Sequence, residues 1–509
     1  VTVLLIIGAY LGVLLLLGLL SGRAFKGTSL DWFVASRSIG PVFLLLSLFG
    51  TTMTAFALVG STGAAYVDGI GVYGLMASWS GLIHSAVFFI VGTRIWALGR
   101  RHGFVTQTQF FRDRFDSHAL GYLLFPILVA LIVPYLLIGL IGAGQTVAGV
   151  TKTALPTSFL GPDGAPTGIP PWMTSAVISA VVFAYVFFGG LRAAVWANAF
   201  QTIVFVVVGL LAFLTIADAL GGVGPAIANA KPTALVRTAH VTQLEFASYC
   251  LVPLSVGMFP HLFQHWLTAK SAKSFRLSVI AHPILIMLVW VPCILIGVWA
   301  TGVLDFPPQK ANAVLGAMVA RFTTPVMSGL VTAGVLAAIM SSLDSQFLCL
   351  GTMFTHDVAL QSGRAESTSD ARKLLYARVF VAVIVLLTWA LSLVVTRGIF
   401  ALGVFCFSGF AGLFPLVVAA IYWKRATLWG AVASVLAGGA VWVTLFVRFL
   451  GMPPGAAEPL VFGVMPVVPI VLASTSALVL VSLVTRPPSA ATIARYFPPA
   501  RAAARVAAP

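Results

Sequence analysis

Apolar runs long enough to cross a bilayer as a helix, about 20 residues each, recur along almost the whole chain. Reading for that length gives about thirteen of them. They lie near residues 2–20, 41–66, 71–98, 120–150, 172–188, 195–217, 245–267, 278–301, 325–355, 376–396, 399–422, 428–449 and 461–484. No single soluble core could bury so many uninterrupted runs, and hydrocarbon is the solvent they suit. Composition agrees. The chain is 60% hydrophobic and 8% charged, where a soluble domain carries about 25% charged residues. The class is therefore an all-α integral membrane protein.

The formal charge of +16 does not indicate nucleic acid. The basic residues sit in short connections between apolar runs and form no basic domain. They alternate by side. Odd-numbered connections and the C-terminal tail hold 22 of the 29 Lys and Arg residues, among them Arg37, Arg100, Arg101, Arg192, Lys270, Lys373 and Arg495. The even connections hold seven: Lys152, Lys231, Arg237, Lys310, Arg321, Arg397 and Arg448. That bias predicts an N-terminus outside and a C-terminus in the cytoplasm of a plasma (inner) membrane. Val3–Leu20 lacks a basic leader and a small-residue cleavage site, so it reads as a span; a chain opening on Val1 fits a trimmed N-terminus. The four cysteines, Cys250, Cys293, Cys349 and Cys406, lie inside apolar runs without framework spacing and read as small buried hydrophobes.

Two runs do not read as plain helices. Residues 47–66, SLFGTTMTAFALVGSTGAAY, combine Gly50, Gly60 and Gly63 with Thr51, Thr52, Thr54 and Ser61. Residues 249–266, YCLVPLSVGMFPHLFQHW, hold Pro253, Gly257 and Pro260. Proline removes a backbone donor and glycine weakens a helix. Irregular backbone at membrane depth is tolerated only against protein or a watery cavity. The two runs are the second and the seventh. Interrupted helices at corresponding places in two halves point to an inverted-repeat transporter, although Gly and Pro are also common in ordinary membrane helices.

A third run, AAIMSSLDSQFLCL at 337–350, carries Ser341, Ser342, Asp344, Ser345 and Gln346 in its middle. On a helix Ser341, Asp344 and Ser345 share a face. Hydroxyls and free carbonyls are hard neutral ligands suited to a hard cation. Small hydroxyl residues also serve helix–helix packing, and both readings stay open at this point. His84, mid-run in SWSGLIHSAVFF, fits a neutral histidine bonded to a carbonyl, a substrate contact or a proton-linked group.

Several fragments in order resemble the sodium/solute symporters: DWFVASRSIG (31–40), FVTQTQFFRDRF (104–115), FGGLRAAVWANAFQ (188–201), FPHLFQHWLTAKSAKS (259–274) and AAIMSSLDSQFLCLGTMFTHD (337–357). The resemblance implies a leucine-transporter-type fold, two inverted five-helix repeats with broken first helices and flanking spans. It divides the chain into residues 1–40 (first span and linker), 41–220 (repeat one), 245–422 (repeat two) and 423–509 (two further spans and a basic tail). It implies a Na+ site at Gly50, Met53, Ala338, Ser341 and Ser342. It places a possible second ion path at Asn198, Asp344 and Ser345, and a substrate pocket at Thr54, Phe56, Ala57, His84 and Phe259. Asn198 stands where many members have an aspartate, which argues against two sodium ions per cycle, with Asp344 placed to compensate in part. Ala57, Gly81 and His84 replace sugar-holding polar residues. FPH at 259–261 matches the proline, pantothenate and monocarboxylate branches, so an organic acid or amino acid is expected rather than a sugar. His261 and His265 lie toward the cytoplasmic end of that run.

The expected activity is sodium-coupled import of a small organic solute by alternating access. The partners expected are that solute and the bilayer, with no nucleic acid and no obligate protein. No metal-ligand spacing or nucleophile–base pair suggests an enzyme. The alternatives are a proton-coupled or sodium-independent transporter of the same fold, or a membrane sensor domain; the short tail from 485 leaves no kinase-sized remainder.

Overall fold

A computed structural model describes residues 2–23, 28–360, 368–395, 397–453 and 459–497. Lys26, Arg364, Arg501 and Arg505, four of the basic residues counted by side, lie outside them. The principal helices are α1 (Thr2–Arg23), α2 (Pro41–Thr52), α3 (Phe56–Asp68), α4 (Gly71–His102), α5 (His118–Ala154), α6 (Pro171–Ala219), α7 (Gln243–Gly257) and α8 (Pro260–Thr268). They continue with α9 (Ala272–Ala300), α10 (Pro325–Ala359), α11 (Asp370–Ser392), α12 (Ile399–Tyr422), α13 (Leu428–Leu450), α14 (Val467–Val484) and α15 (Ala490–Tyr496).

Among the described residues nine helices have the length and apolarity to cross a membrane, and two bent pairs raise the number to eleven. The expected number was about thirteen by the 20-residue criterion. The difference has two sources. Helix α6 runs for 49 residues but breaks at Gly190, between the expected runs 172–188 and 195–217. The apolar part of α1, Thr2–Gly18, is shorter than the other spans.

The two bent pairs are α2 with α3, at 58°, and α7 with α8, at 52°. They fall where the sequence predicted interruptions. The glycines of the first pair are not themselves the break. Helix α2 ends at Met53, and Gly50 instead permits close approach: a Cβ there would sit 2.5 Å from Thr202 Oγ1 on α6.

Helix α10 is the hub. Pro325 at its first position and the Thr324 hydroxyl, bonded to the Met327 N–H, fix its start. From Val331 to Met353 every residue is buried, against α1, α5, α6 and α11. A stretch buried this completely on every side is shielded from lipid by its neighbours, so its polar residues face protein.

The fragments that carried the family resemblance pack together. Asp31 is fully buried and accepts from Arg192 at 2.6 Å. Trp32 lies on Gly190, whose φ of +58° belongs to the left-handed region and whose missing Cβ would come 2.5 Å from Trp32 Cδ1. Only glycine meets both demands without strain. Gly190→Val is expected to cost about 1–3 kcal/mol from the backbone alone, read as a lower thermal midpoint of the purified protein. An unchanged midpoint would mean that the break is not a fixed feature.

Candidate functional site

The break in the first bent pair leaves backbone groups without helical partners. Gly50 C=O accepts from Met53 N–H at 3.2 Å, and from across the bundle the Ser341 hydroxyl donates to it at 2.7 Å. Ser341 Oγ also lies 2.9 Å from Ala338 O. Three of the five expected sodium ligands, Gly50, Ala338 and Ser341, therefore converge within hydrogen-bond distance. Met53 caps α2 beside them. Ser342 faces a different partner, its hydroxyl accepting from Gln346 Nε2 at 2.6 Å. Thr54 Oγ1 accepts from Phe56 N–H at 3.0 Å and so closes the start of α3.

One turn further along α10 lies a second polar cluster. Tyr185 OH donates to Asp344 Oδ2 at 2.8 Å and Ser345 Oγ to Asp344 Oδ1 at 3.0 Å. The Asn198 amide matches donors to acceptors when its nitrogen faces the carboxyl, 3.0 Å from Oδ2, which leaves its oxygen 3.0 Å from Ser345 Oγ. His265 Nε2 lies 3.0 Å from Ser345 Oγ and its Nδ1 lies 2.8 Å from Ser47 Oγ. Asn198, Asp344 and Ser345, expected together, are together. Tyr185, Ser47 and the bridging role of His265 were missed. A tyrosine or serine in an apolar run has no local mark of its long-range partner.

The substrate residues divide. A small central cavity of about 30 Å³ is lined by Phe56, His84 and Phe259, as expected, and also by Thr52, Ser80, Tyr135, Ser255, Trp290 and Phe407. Thr54 and Ala57 do not line it. The first is occupied by its cap, and the second turns its carbonyl to Ser61 Oγ at 2.6 Å. His84 was read with a carbonyl as one possible partner. Its Nδ1 instead lies 3.2 Å from Nε2 of His282, a residue the sequence reading passed over although it stands alone in the apolar run SVIAHPILIM.

A wider cavity of about 470 Å³ opens on one side of the centre, lined by Gly60, Asp68, Gln145, Glu245 and Phe400 among others. Phe56 lines the small cavity, Phe400 the wide one, and the two rings stack at 5.2 Å and 14°. On the opposite side the chain closes more heavily. Ile39 N–H donates to Thr268 O at 3.0 Å and Lys270 N–H to Ile39 O at 2.8 Å. Gln264 Nε2 donates to Phe33 O at 2.6 Å, and Arg37 donates to the Gly99 and Phe104 carbonyls. Burial and the nearby Arg100 charge hold the Arg37 guanidinium below its ordinary pKa.

Broken helices in pairs, a polar cluster where they meet α10 and cavities beside the first break define a secondary transporter of the leucine-transporter type. Residues 32–438 match the sodium:solute symporter family, and the chain belongs to it, a membrane symporter that moves a small organic solute with sodium. Its relatives include the sodium/pantothenate symporter of Escherichia coli K12, 26% identical over 83% of this chain and 86% of that one. The sodium/proline symporter of the same organism is 24% identical over 96% and 94%. Among solved structures a Na+-coupled sialic acid symporter superposes with a TM-score of 0.70 at 16% identity, covering 96% of this chain and 99% of that one. A nucleobase-cation-symport-1 family transporter gives 0.55 at 14%, over 91% and 97%.

Asn198→Asp would set two carboxyl groups within hydrogen-bond distance, where both ionise only with a cation between them. The variant is expected to melt several degrees lower in choline buffer and to recover in sodium. A deficit that sodium does not relieve would show that no cation reaches this cluster.

Proposed function

We propose that the chain imports a small organic acid or amino acid by alternating access, driven by sodium bound at Gly50, Met53, Ala338, Ser341 and Ser342. The observation that carries this reading is the Ser341 hydroxyl at 2.7 Å from the Gly50 carbonyl, at the break between α2 and α3. Bent-back carbonyls and hydroxyls from two helices form a neutral oxygen site. A monovalent cation bound there ties α2 to α10. An ion can favour one arrangement of the repeats only by binding it better, and the interaction of sodium with solute is then reciprocal. The repeats are assigned to residues 41–220 and 245–422. The N-terminus lies outside and the C-terminus in the cytoplasm, so the wide cavity faces outward. The bulk of the solute site is the small central cavity, and Asn198, Asp344 and Ser345 form an inner ion path.

A second reading has its own support. Asp344 is a fully buried carboxyl whose hydrogen-bond partners, Tyr185 and Ser345, are uncharged. Ionisable groups at membrane depth commonly mark ion or proton pathways, so a proton in place of sodium would use it.

Uptake into proteoliposomes separates the two. A panel of labelled acids, amino acids and sugars would be offered with a sodium gradient and with a pH gradient alone. The expected result is sodium-dependent uptake that falls at least tenfold in Ser341→Ala/Ser342→Ala, the loss of two charge-assisted contacts. Uptake that follows the pH gradient, ignores sodium and survives the double change would transfer the coupling role to Asp344.

A further inference from the structure

The central cavity has an electrical character that narrows its solute. No Asp, Glu, Lys or Arg is among its lining residues. The Asp344 carboxyl is not among them either, being engaged by Tyr185 and Ser345. The cavity does hold donors without acceptors. The Trp290 indole nitrogen, on a side chain 3% exposed, has no hydrogen-bond partner. An indole N–H can only donate, and a buried donor left unpaired costs about 1–3 kcal/mol.

The histidine pair adds a second donor. A neutral imidazole carries one N–H and one bare nitrogen. His282 Nδ1 is buried without a partner. If His84 supplied the shared proton, His282 would bury its own N–H with nothing to receive it. With the proton on His282 Nε2 the orphan is a bare acceptor, the less costly kind among backbone groups. That leaves an N–H on Nε2 of His84, on a ring that lines the cavity. The amino end of α8 opens at Phe259 on the same lining, and first-turn N–H groups have no acceptor in their own helix. Most of the remaining wall area is apolar, the rings of Phe56, Tyr135, Phe259 and Phe407 with Val252 and Pro253, and the neutral hydroxyl residues Thr52, Ser80, Tyr249 and Ser255 complete the lining.

We infer that this cavity, which at about 30 Å³ must widen to admit its solute, selects a small monocarboxylate with a flat apolar body and no ammonium group, its carboxylate received by Trp290 and His84. The inference rests on the symporter reading above, since the sodium ion supplies the positive charge that the pocket itself lacks. An ammonium would meet no carboxylate here. Trp290 is then a specificity-determining contact.

The test uses the full chain in proteoliposomes under a sodium gradient. Labelled benzoate and pyruvate are compared with phenylalanine and proline, and benzamide serves as a neutral competitor shaped like benzoate. The expected result is at least tenfold faster uptake of one of the acids than of either zwitterion, with benzamide competing poorly. Trp290→Phe keeps the ring and removes the N–H. It is expected to raise the KM for the transported acid about tenfold, the scale of one hydrogen bond to a charged group, and to narrow the gap between carboxylate and amide. Thermal stabilisation by sodium alone reports that the variant is folded, and His84→Phe is read in parallel in case it is not. Sodium-driven uptake of the zwitterions at equal rate would overturn the inference and leave the symporter reading standing. So would an unchanged KM and carboxylate preference in both variants. Sodium-independent behaviour toward every compound would remove the reading underneath and the inference with it.

Discussion

Everything at the centre of this molecule follows from two places where backbone amides leave the helix inside the bilayer. In hydrocarbon an unpaired N–H or C=O costs several kcal/mol, so each must find a partner within the protein. At the first break Gly50 C=O takes Met53 N–H and the Ser341 hydroxyl, while Thr54 receives Phe56 N–H on its hydroxyl and Ala57 N–H on its carbonyl. At the second, Ser255 C=O takes the N–H groups of Met258 and Phe259. The buried middle of α10, Val331 to Met353, supplies hydroxyls at that depth. A transporter gains from this arrangement because the same oxygens that repair the backbone suit a monovalent cation.

The polar interior is also almost free of unbalanced charge. The deepest ion pair, Asp31 with Arg192, lies near one end, where it fixes the turn at Gly190. Towards that end too Arg114 is buried and donates to the carbonyls of Ala420 and Trp423, which terminate α12. Its guanidinium is pushed down to about 10 by burial, opposed by the Tyr496 ring against which it rests. Charge is thus kept for anchoring the ends, and neutral hydrogen bonds for the moving middle.

Much of this architecture could be read from residue order. Apolar length, the side-to-side alternation of Lys and Arg, and the Gly and Pro clusters indicated the spans and both breaks, because each is a local property of the chain. The partners across the bundle were not local. Ser341 and Gly50 are 291 residues apart, and only a family resemblance joined them. His282 and Trp290 in one apolar run and Tyr185 in another have nothing nearby in sequence to say which cavity or carboxyl they meet. Thr54 and Ala57 were assigned to the pocket through the family resemblance. The backbone there turns, so Thr52 lines the cavity beside the expected Phe56 and neither Thr54 nor Ala57 does.

The two sides of the central cavity are unequal in what must move. Towards the wide cavity it is one stacked ring pair, Phe56 on Phe400. Towards the other end the closure includes two main-chain bonds at Ile39, the Gln264 amide on Phe33 and the Asp31–Arg192 ion pair. Phe56 is buried, so its ring moves more slowly than an exposed side chain, but parting one ring pair is still a smaller event than the microsecond-to-millisecond rearrangement of packed helices. Exchange through the thin side is therefore the faster of the two. A solute that binds loosely leaves the way it came, and residence time at the centre, more than arrival, decides what is carried through.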